Sequence, residues 1–248
     1  MSSTIPDPVP HGIIRVGTRL YGRNGTTTNP SYEGFRPILC LTQSSPYGSL
    51  GPYCLKNDNS HIFENTWQFS KIYKHVPASK QLYSRYDKTV IWDHPAETHM
   101  LNGQITEEYW CWRQRGLDAE HAIRYPVGRA HRNKCLYSFK SRDDPTPLDY
   151  IQARKEIYLP GYQELVVQEP KYTKLQTMLA KGQNLLIIEV DGPHQESMEY
   201  YKEKYGVADD FIENDTILVT PENMDIMLND PKHAFGHGYC LGMSLLQM

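Results

Sequence analysis

Residues 185–190 read LLIIEV, the clearest strand pattern in the chain. An uninterrupted aliphatic run of this kind is typical of a strand buried on both faces of a sheet. A helix is predicted before it, at 171–180, because Lys181-Gly182 supplies a helix-ending signal. Another helix is predicted after it, over about 196–205. The stretch therefore predicts a buried strand set between helices.

Further elements are predicted from periodicity and turn residues. They are a strand at 36–42, a hairpin at 52–63, a helix from Glu64 to Tyr73, a helix at 107–121 with a break at Gly116, and a helix that runs to Tyr158 and is interrupted by Pro160-Gly161. The sum predicts a single α+β domain, helix-rich with a few short strands. We expect this domain to cover 13–248, after a flexible N-terminal arm at 1–12.

The composition is that of an ordinary globular protein, with 248 residues, 39% hydrophobic, 22% charged and a net charge of −3. The apolar runs are too short to cross a bilayer, and the first residues carry no signal-peptide pattern. We expect a cytoplasmic protein, or a nuclear one if the source is eukaryotic, with no membrane partner. The five cysteines are widely spaced without a C-x-x-C pair, which predicts reduced thiols and no zinc site.

The segment FENTWQFSK places an acid, an amide and a base at Glu64, Gln68 and Lys71. On a helix these positions fall within roughly 40° of one another, so the three side chains would share one stripe. Trp67 lies beside that stripe. Mixed polar and aromatic groups of this kind are typical of a pocket wall, although the same spacing also fits an ordinary exposed Glu–Lys pair.

Glu189 and Asp191 follow the buried strand directly. A strand end that leads an acid into a turn is a frequent place for a catalytic carboxylate, because the backbone is rigid up to that point. The alternative is that Asp191 caps the turn and Glu189 faces solvent.

The C-terminal part contains His233-x-x-x-His237 and the glycine-rich run Gly236–Gly242. The histidine spacing fits a metal pair, but a zincin glutamate and a third ligand are missing, so we expect no metal and no cofactor. The glycine run has the wrong spacing for a nucleotide fingerprint. As a loop entering a helix, it could still hold a phosphate on backbone N–H groups.

A basic segment, GRAHRNK, begins at Gly128 and includes Arg129. Its side chains could grip phosphates, and the alternative is a solvated basic face. We do not expect a sequence-specific DNA reader, since no helix-turn-helix or finger pattern is present and the isoelectric point is about 6.4.

Taken in order, YGSLGPYCLKNDNSHIFENTWQFSK, the middle segment that ends in LLIIE, and NDPKHAFGHGYCLGMSLL resemble the motifs of the NADAR/YbiA-like superfamily. The likeness covers most of 45–248. The most specific element is Glu-x-x-x-Gln-x-x-Lys, here Glu64, Gln68 and Lys71. The chain departs from the family pattern at Phe235-Gly236, where the family has Trp-Gly, and by an apparent insert at about 190–229.

The resemblance implies an N-glycosidase that cleaves an N-ribosidic bond, most readily one between ADP-ribose and a modified guanine. It implies Glu64 and Asp230 as the catalytic acids, without a metal. Together with the local patterns, the resemblance suggests ten substrate-binding residues. They are Tyr47, Gly48, Trp67, Gln68, Lys71, Arg129, Glu189, Phe235, Gly236 and Gly238. In these roles Gln68 would orient a ribose hydroxyl, Lys71 would hold a phosphate or favour ionised Glu64, and the two aromatic rings would stack on the base.

Three substrates or functions remain open at this point. The partner could be an ADP-ribosylated base, within a nucleic acid if 190–229 leaves the cleft open. It could be a free ribosyl phosphate if that segment covers the cleft. The chain could instead be a catalytically silent module that binds ADP-ribose or nucleotides, although a pure binder gains little from acids near an anionic ligand.

Overall fold

A computed structural model describes residues 11–82 and 91–248 of the chain. The chain divides into two compact units, the first formed by residues up to Gly51 together with Val166–Met248 and the second by Pro52–Leu165. Helices and strands occur in both, which confirms the mixed α+β class. The predicted single domain over 13–248 stays a prediction. Most of the predicted N-terminal arm lies outside the described residues, and Gly12 at its end donates its N–H to Leu179 O at 2.8 Å.

The described helices are α1 Phe63–Phe69, α2 Glu107–Leu117, α3 Tyr150–Ala153, α4 Leu159–Val166, α5 Pro170–Ala180, α6 Met198–Tyr205, α7 Pro221–Asn229 and α8 His237–Leu245. The described strands are β1 Ile14–Thr18, β2 Leu20–Tyr21, β3 Thr27–Thr28, β4 Phe35–Leu39, β5 Lys71–Tyr73, β6 His75–Val76, β7 Ser79–Leu82, β8 Ile91–His94, β9 Glu97–Thr98, β10 Met100–Leu101, β11 Gln104–Ile105, β12 Cys135–Ser138, β13 Asn184–Glu189 and β14 Thr216–Leu218. Within these residues, none of the helices combines the length and apolar character needed to cross a membrane.

The first unit is built on a four-stranded sheet in the order β14-β1-β13-β4. The predicted strand in LLIIEV is confirmed as β13, which pairs in parallel with both β1 and β4. Its side chains from Leu185 to Glu189 are all buried, as expected of a strand covered on both faces. Because β1 and β13 are parallel, their carboxyl ends meet, with Thr18 opposite Glu189.

Helix α8 lies against this sheet, and its first turn reaches the carboxyl end of β13. A Cβ on Gly238 would lie 3.0 Å from Glu189 Cβ and 3.3 Å from Ile187 Cγ2. A larger residue here would force the helix or its neighbours to shift by a few tenths of an ångström. The glycine-rich run therefore serves helix–sheet packing at this position.

The segment 190–229, which looked like an insert, is part of this unit's framework. It contributes α6, α7 and β14, and β14 pairs antiparallel with β1. The predicted helix over 196–205 is confirmed as a 3-10 turn at Gln195–Ser197 that continues into α6. Helix α6 ends at Gly206, whose φ of 65° is the left-handed conformation that closes many helices.

The second unit has an aromatic core centred on Phe69. The ring of Phe69 lies 4.6 Å from that of Trp112 and 5.0 Å from that of Trp92, measured between centroids. The predicted break at Gly116 is wrong, since α2 runs through it to Leu117. A Cβ on Gly116 would lie 2.1 Å from Phe69 Cδ1, so the glycine is there to admit the phenyl ring.

The helix predicted from Glu64 to Tyr73 is too long by one turn. Helix α1 ends at Phe69, and Lys71–Tyr73 forms β5, which pairs antiparallel with β12. Ser70 Oγ donates to Trp67 O at 2.8 Å, a local bond that competes with continued helix. Ile72 and Tyr73, both good strand formers, are buried in the aromatic core.

The interruption predicted at Pro160-Gly161 is also wrong. Helix α3 leads through a π-helical turn at Arg154–Tyr158 directly into α4, which contains both residues. Pro160 is the second residue of α4. The π-turn changes the hydrogen-bond pattern immediately before it, which is how helices accommodate such residues. Gly161 admits the ring of Phe63, because its Cβ would lie 2.9 Å from Phe63 Cε2.

Candidate functional sites

In the second unit, the predicted polar stripe is a connected row of side chains. Gln68 Nε2 donates to Glu64 Oε1 at 3.1 Å, and Lys71 Nζ donates to Gln68 Oε1 at 2.8 Å. Glu64 is only 5% exposed. Lys71 reaches the row from β5 and not from α1, so the three residues are joined although they do not share one helix. We call Glu64, Gln68 and Lys71 the polar row.

Trp67 forms the aromatic side of the polar row. Its ring centroid lies 4.9 Å from that of Tyr158, and Lys71 Nζ stands 4.5 Å from the centre of the Trp67 ring. The ammonium thus contacts an amide oxygen and an aromatic face at once, a cation–π arrangement that favours its charged form. The sequence prediction of a mixed polar and aromatic surface at this place agrees with these contacts.

Asn65 ties α1, the helix that carries Glu64 and Gln68, to the loop after α2, and no sequence pattern pointed to it. The side chain is fully buried on α1. Asn65 Nδ2 donates to His121 O at 2.9 Å, and Asn65 Oδ1 accepts the N–H of Ile123 at 2.7 Å. These bonds satisfy the backbone of the loop after α2 and tie it to α1.

In the first unit, Asp230 is completely buried and its carboxylate is surrounded by donors. Oδ1 accepts from Tyr200 at 2.5 Å, and Oδ2 accepts from Tyr201 and from His233 Nδ1, both at 2.7 Å. The backbone N–H groups of Lys232 and His233 add two more bonds. We call this arrangement the tyrosine cage.

The tyrosine cage keeps Asp230 ionised. Burial alone would raise the pKa of the carboxyl, but the hydrogen bonds from Tyr200, Tyr201 and His233 outweigh it and hold the pKa below its ordinary value. For Tyr201, burial and the same carboxylate raise the pKa of the phenol. A carboxylate with this many donors is arranged for structural anchoring, whereas steering a water molecule requires lone pairs directed at substrate. The catalytic role expected of Asp230 stays a prediction.

Glu189 does not face solvent. It is 2% exposed at the end of β13, and its Oε2 accepts from His237 Nδ1 at 2.7 Å and from Gly238 N at 2.8 Å. Oε1 accepts the N–H of Val190 at 2.6 Å and that of Asp191 at 3.3 Å. Glu189 therefore caps the turn that follows its own strand.

The protonation of this pair follows from its contacts. His237 Nε2 lies 2.6 Å from Cys40 O, an acceptor, so both ring nitrogens donate and the ring is a cation. Burial alone would lower the pKa of His237, but Glu189 outweighs it and raises that pKa. Burial likewise would raise the pKa of Glu189, and His237 together with the backbone N–H groups lowers it. Glu189 and His237 form a buried ion pair at the start of α8.

Gly236 and Phe235 lie beside this ion pair. A Cβ on Gly236 would lie 2.7 Å from Glu189 Cδ, so the residue must be glycine for the carboxylate to fit. The ring of Phe235 is buried and stacks on Tyr239 at 5.4 Å and 23°. The substrate-binding roles predicted for Phe235, Gly236, Gly238 and Glu189 remain predictions, and their contacts give each a packing role.

Tyr47 and Gly48 lie at the loop after β4. Tyr47 is buried and its N–H donates to Leu39 O at 3.1 Å. A Cβ on Gly48 would lie 2.0 Å from Thr42 O, so only glycine allows this loop to close. Both residues belong to the first unit, and their predicted contact with substrate stays untested.

The basic segment GRAHRNK forms a 3-10 turn at Arg129–Lys134 in which no residue is buried. Arg129 itself is exposed. A cavity of about 430 Å³ lies against this turn, with His131, Lys134, Glu97 and Glu108 in its wall. The exposure of Arg129 fits the alternative considered from the sequence, a solvated basic face.

The two C-terminal histidines have different partners. His233 contacts Asp230, whereas His237 contacts Glu189. Across residues 11–82 and 91–248, no group of three or more His, Cys, Asp and Glu side chains is arranged to hold a metal ion. The five cysteines are free, as the sequence predicted.

Comparison with known proteins assigns the chain to no class of protein. No protein family, curated protein or solved structure matches the chain. Any class of protein assigned to it therefore depends on the contacts described above and on the motif resemblance in its sequence.

Proposed function

We propose that the chain is an N-glycosidase that hydrolyses an N-ribosidic bond, most readily the bond between ADP-ribose and a modified guanine. We propose with it that the fold is a divergent form of the NADAR/YbiA-like fold. The observation that carries the proposal is the buried Glu64 carboxylate, which accepts a hydrogen bond from Gln68, whose amide oxygen in turn accepts one from Lys71 beside the Trp67 ring. The motif resemblance supplies the substrate class.

The chemistry requires a fixed negative charge near the anomeric carbon. As the C1′–N bond lengthens, positive charge develops on the ribose ring, and a carboxylate close to it stabilises that charge. Water then adds its hydroxide to C1′, and its proton ends on the nitrogen of the departing base. Glu64 would accept that proton from water as general base and pass it on.

The polar row tunes this carboxylate. The Gln68 amide accepts a hydrogen bond from the Lys71 ammonium and donates one to Glu64, so each bond polarises the next. In this proposal the positive charge of Lys71 favours ionised Glu64 through the Gln68 amide. In this proposal Asp230 anchors the closing motif through the tyrosine cage and does not act on substrate.

The test measures base release. The protein is incubated with an oligonucleotide carrying ADP-ribosyl-guanine and, separately, with an aminopyrimidine ribose phosphate, and free base or unmodified oligonucleotide is followed by mass spectrometry. Turnover of the first substrate supports the proposal, and turnover of the second alone corrects the substrate. Turnover of neither, with tight binding of ADP-ribose, would overturn it in favour of a binding module.

A further inference from the structure

Ser197, His233 and Asp230 form a linear chain of hydrogen bonds in the first unit. Asp230 Oδ2 lies 2.7 Å from His233 Nδ1, and His233 Nε2 lies 3.1 Å from Ser197 Oγ. Both distances fall within the 2.6–3.2 Å or so expected between a nucleophile, its base and the group that orients the base. Nothing in the proposed N-glycosidase mechanism uses this chain of contacts.

The carboxylate sets the tautomer of the histidine. Asp230 Oδ2 also accepts the backbone N–H of His233 at 3.2 Å, so the residue is held to the carboxylate by its ring and by its main chain. Because ionised Asp230 can only accept, Nδ1 carries the ring proton. In the neutral ring that this leaves for a general base, Nε2 is the acceptor to which the Ser197 hydroxyl can donate.

Ser197 is partly exposed to solvent, unlike the buried serines of the chain. It is the last residue of the 3-10 turn and the N-cap of α6, and it is half-buried. The His233 side chain is 15% exposed. By contrast, Ser70 and Ser244 are buried, and their hydroxyls donate to the backbone carbonyls of Trp67 and Cys240. The positive end of the α6 dipole lies beside Ser197 and favours an oxyanion there.

We propose that Ser197 is the nucleophile of a second activity, the hydrolysis of small carboxylic esters, with His233 as general base and Asp230 as the residue that positions it. Ser197 Oγ bonds to the ester carbonyl carbon while its proton moves to His233 Nε2. The tetrahedral intermediate collapses, the C–O bond of the ester breaks, and the alcohol leaves with that proton. Water then repeats the sequence on the acyl-serine, releasing the acid.

The arrangement is recognised by geometry and not by a sequence motif. The residues occur in the order serine, aspartate, histidine, but no G-x-S-x-G surrounds Ser197 and the acid and the histidine are three positions apart. Serine triads of the same geometry occur on unrelated folds, so the missing motif does not argue against the chemistry. The inference does not depend on the N-glycosidase, because Glu64 belongs to the other unit.

The test is covalent labelling of the full-length protein with a fluorophosphonate, followed by peptide mapping. We expect one adduct on Ser197, and p-nitrophenyl acetate hydrolysis that falls at least about 100-fold in both Ser197→Ala and His233→Gln. Ser141→Ala is the matched control, because Ser141 Oγ accepts from Asp144 N and contacts no histidine in the described chain. It should leave labelling and hydrolysis unchanged.

Two outcomes would overturn the proposal. One is native protein that carries no label at Ser197 after prolonged exposure. The other is ester hydrolysis that survives in Ser197→Ala. Glu64→Gln separates this proposal from the previous one, since it should stop base release and leave Ser197 labelling intact. Asp230→Asn should slow labelling more than it changes the affinity for a non-reactive ester, a difference that loss of packing alone would not produce.

Discussion

The polar row and the tyrosine cage both surround a buried carboxylate, but they are assembled over different distances in the chain. The polar row joins Glu64, Gln68 and Lys71 within one short segment. The tyrosine cage joins Asp230 to residues of α6 about thirty positions earlier. The first can be recognised from sequence spacing, and the second exists only once α6 has folded against the closing loop. A polar site formed within one short segment can therefore be predicted from the sequence, whereas one joined across distant segments cannot.

The largest effect on activity is expected from Glu64→Gln. Removing the charge while keeping the shape should lower base release by about 10²–10⁴-fold, because the transition state loses its negative partner. Binding of ADP-ribose should change little. Steady-state kinetics and isothermal titration measure the two quantities. Full activity in Glu64→Gln would show that the polar row is structural, and the two carboxylates would then have the same kind of role.

Glu33→Gln serves as the matched control for this substitution. Glu33 is exposed in the loop before β4. Its neutralisation changes the net charge by the same amount as Glu64→Gln, so any general electrostatic effect on a phosphorylated substrate appears in both variants. Only a loss confined to Glu64→Gln assigns the carboxylate to the reaction.

Asp230→Asn should have the largest effect on stability. The substitution replaces a carboxylate, which accepts hydrogen bonds from all its neighbours, by an amide whose NH2 group can only donate. Breaking a buried charged network of this kind lowers the free energy of unfolding by about 3–5 kcal/mol. Urea unfolding measures it. Since the folded pKa of Asp230 is below the ordinary value, its contribution is complete above about pH 4 and is lost as the pH falls toward the folded pKa. The difference between wild type and Asp230→Asn should therefore shrink in acid.

The ion pair of Glu189 and His237 should show the opposite pH dependence. Its contribution to the free energy of unfolding is lost as the pH rises, whereas that of Asp230 is lost as the pH falls. Because the folded pKa of His237 is raised, its contribution is complete below about pH 6.5 and is lost as the pH rises through the folded pKa. His237→Gln should cost about 3 kcal/mol near neutral pH, since Glu189 is left without its cation. Its unfolding free energy should lack the alkaline decline of the wild type. A parallel decline in both proteins would contradict this assignment.

The smallest effect on stability is expected when the two glycines that pack against phenyl rings are replaced by alanine. Gly116→Ala places a methyl group 2.1 Å from Phe69 Cδ1, and we expect a loss of about 1–3 kcal/mol from overpacking. Gly161→Ala, with 2.9 Å to Phe63 Cε2, is its matched control and should cost less. Thermal unfolding of both variants measures the order. Equal losses would mean that the distance between the added methyl group and the ring does not decide the result.

The sequence predicted β13 well because its aliphatic run has one physical explanation, a strand covered on both faces. It also placed Glu64, Gln68 and Lys71 together, but with Lys71 on the wrong element. Helix periodicity and strand pairing both bring that side chain to the row, and pairing of Lys71–Tyr73 with β12 depends on residues more than sixty positions later. No local pattern contains that information.

The contacts of Glu189 and Ser197 could not be predicted from local sequence for the same reason. Glu189 looks like a solvated or catalytic acid until His237 and Gly238 are brought to it by the packing of α8. Ser197 has no motif around it, and His233 was considered only as a partner of His237. The one available signal was Asp230 three positions before His233, a spacing that lets a side chain meet its own turn.

Strand β14 has a consequence for how the protein behaves in concentrated solution. A sheet edge with unpaired N–H and C=O groups can recruit a second chain, and short strands or proline reduce that hazard. Here β4 carries Pro37 at one edge, and the three-residue β14 covers the wholly buried β1 at the other. A chain without 190–229 would leave β1 as an unpaired edge strand, and concentration-dependent light scattering should reveal it as a self-associating protein.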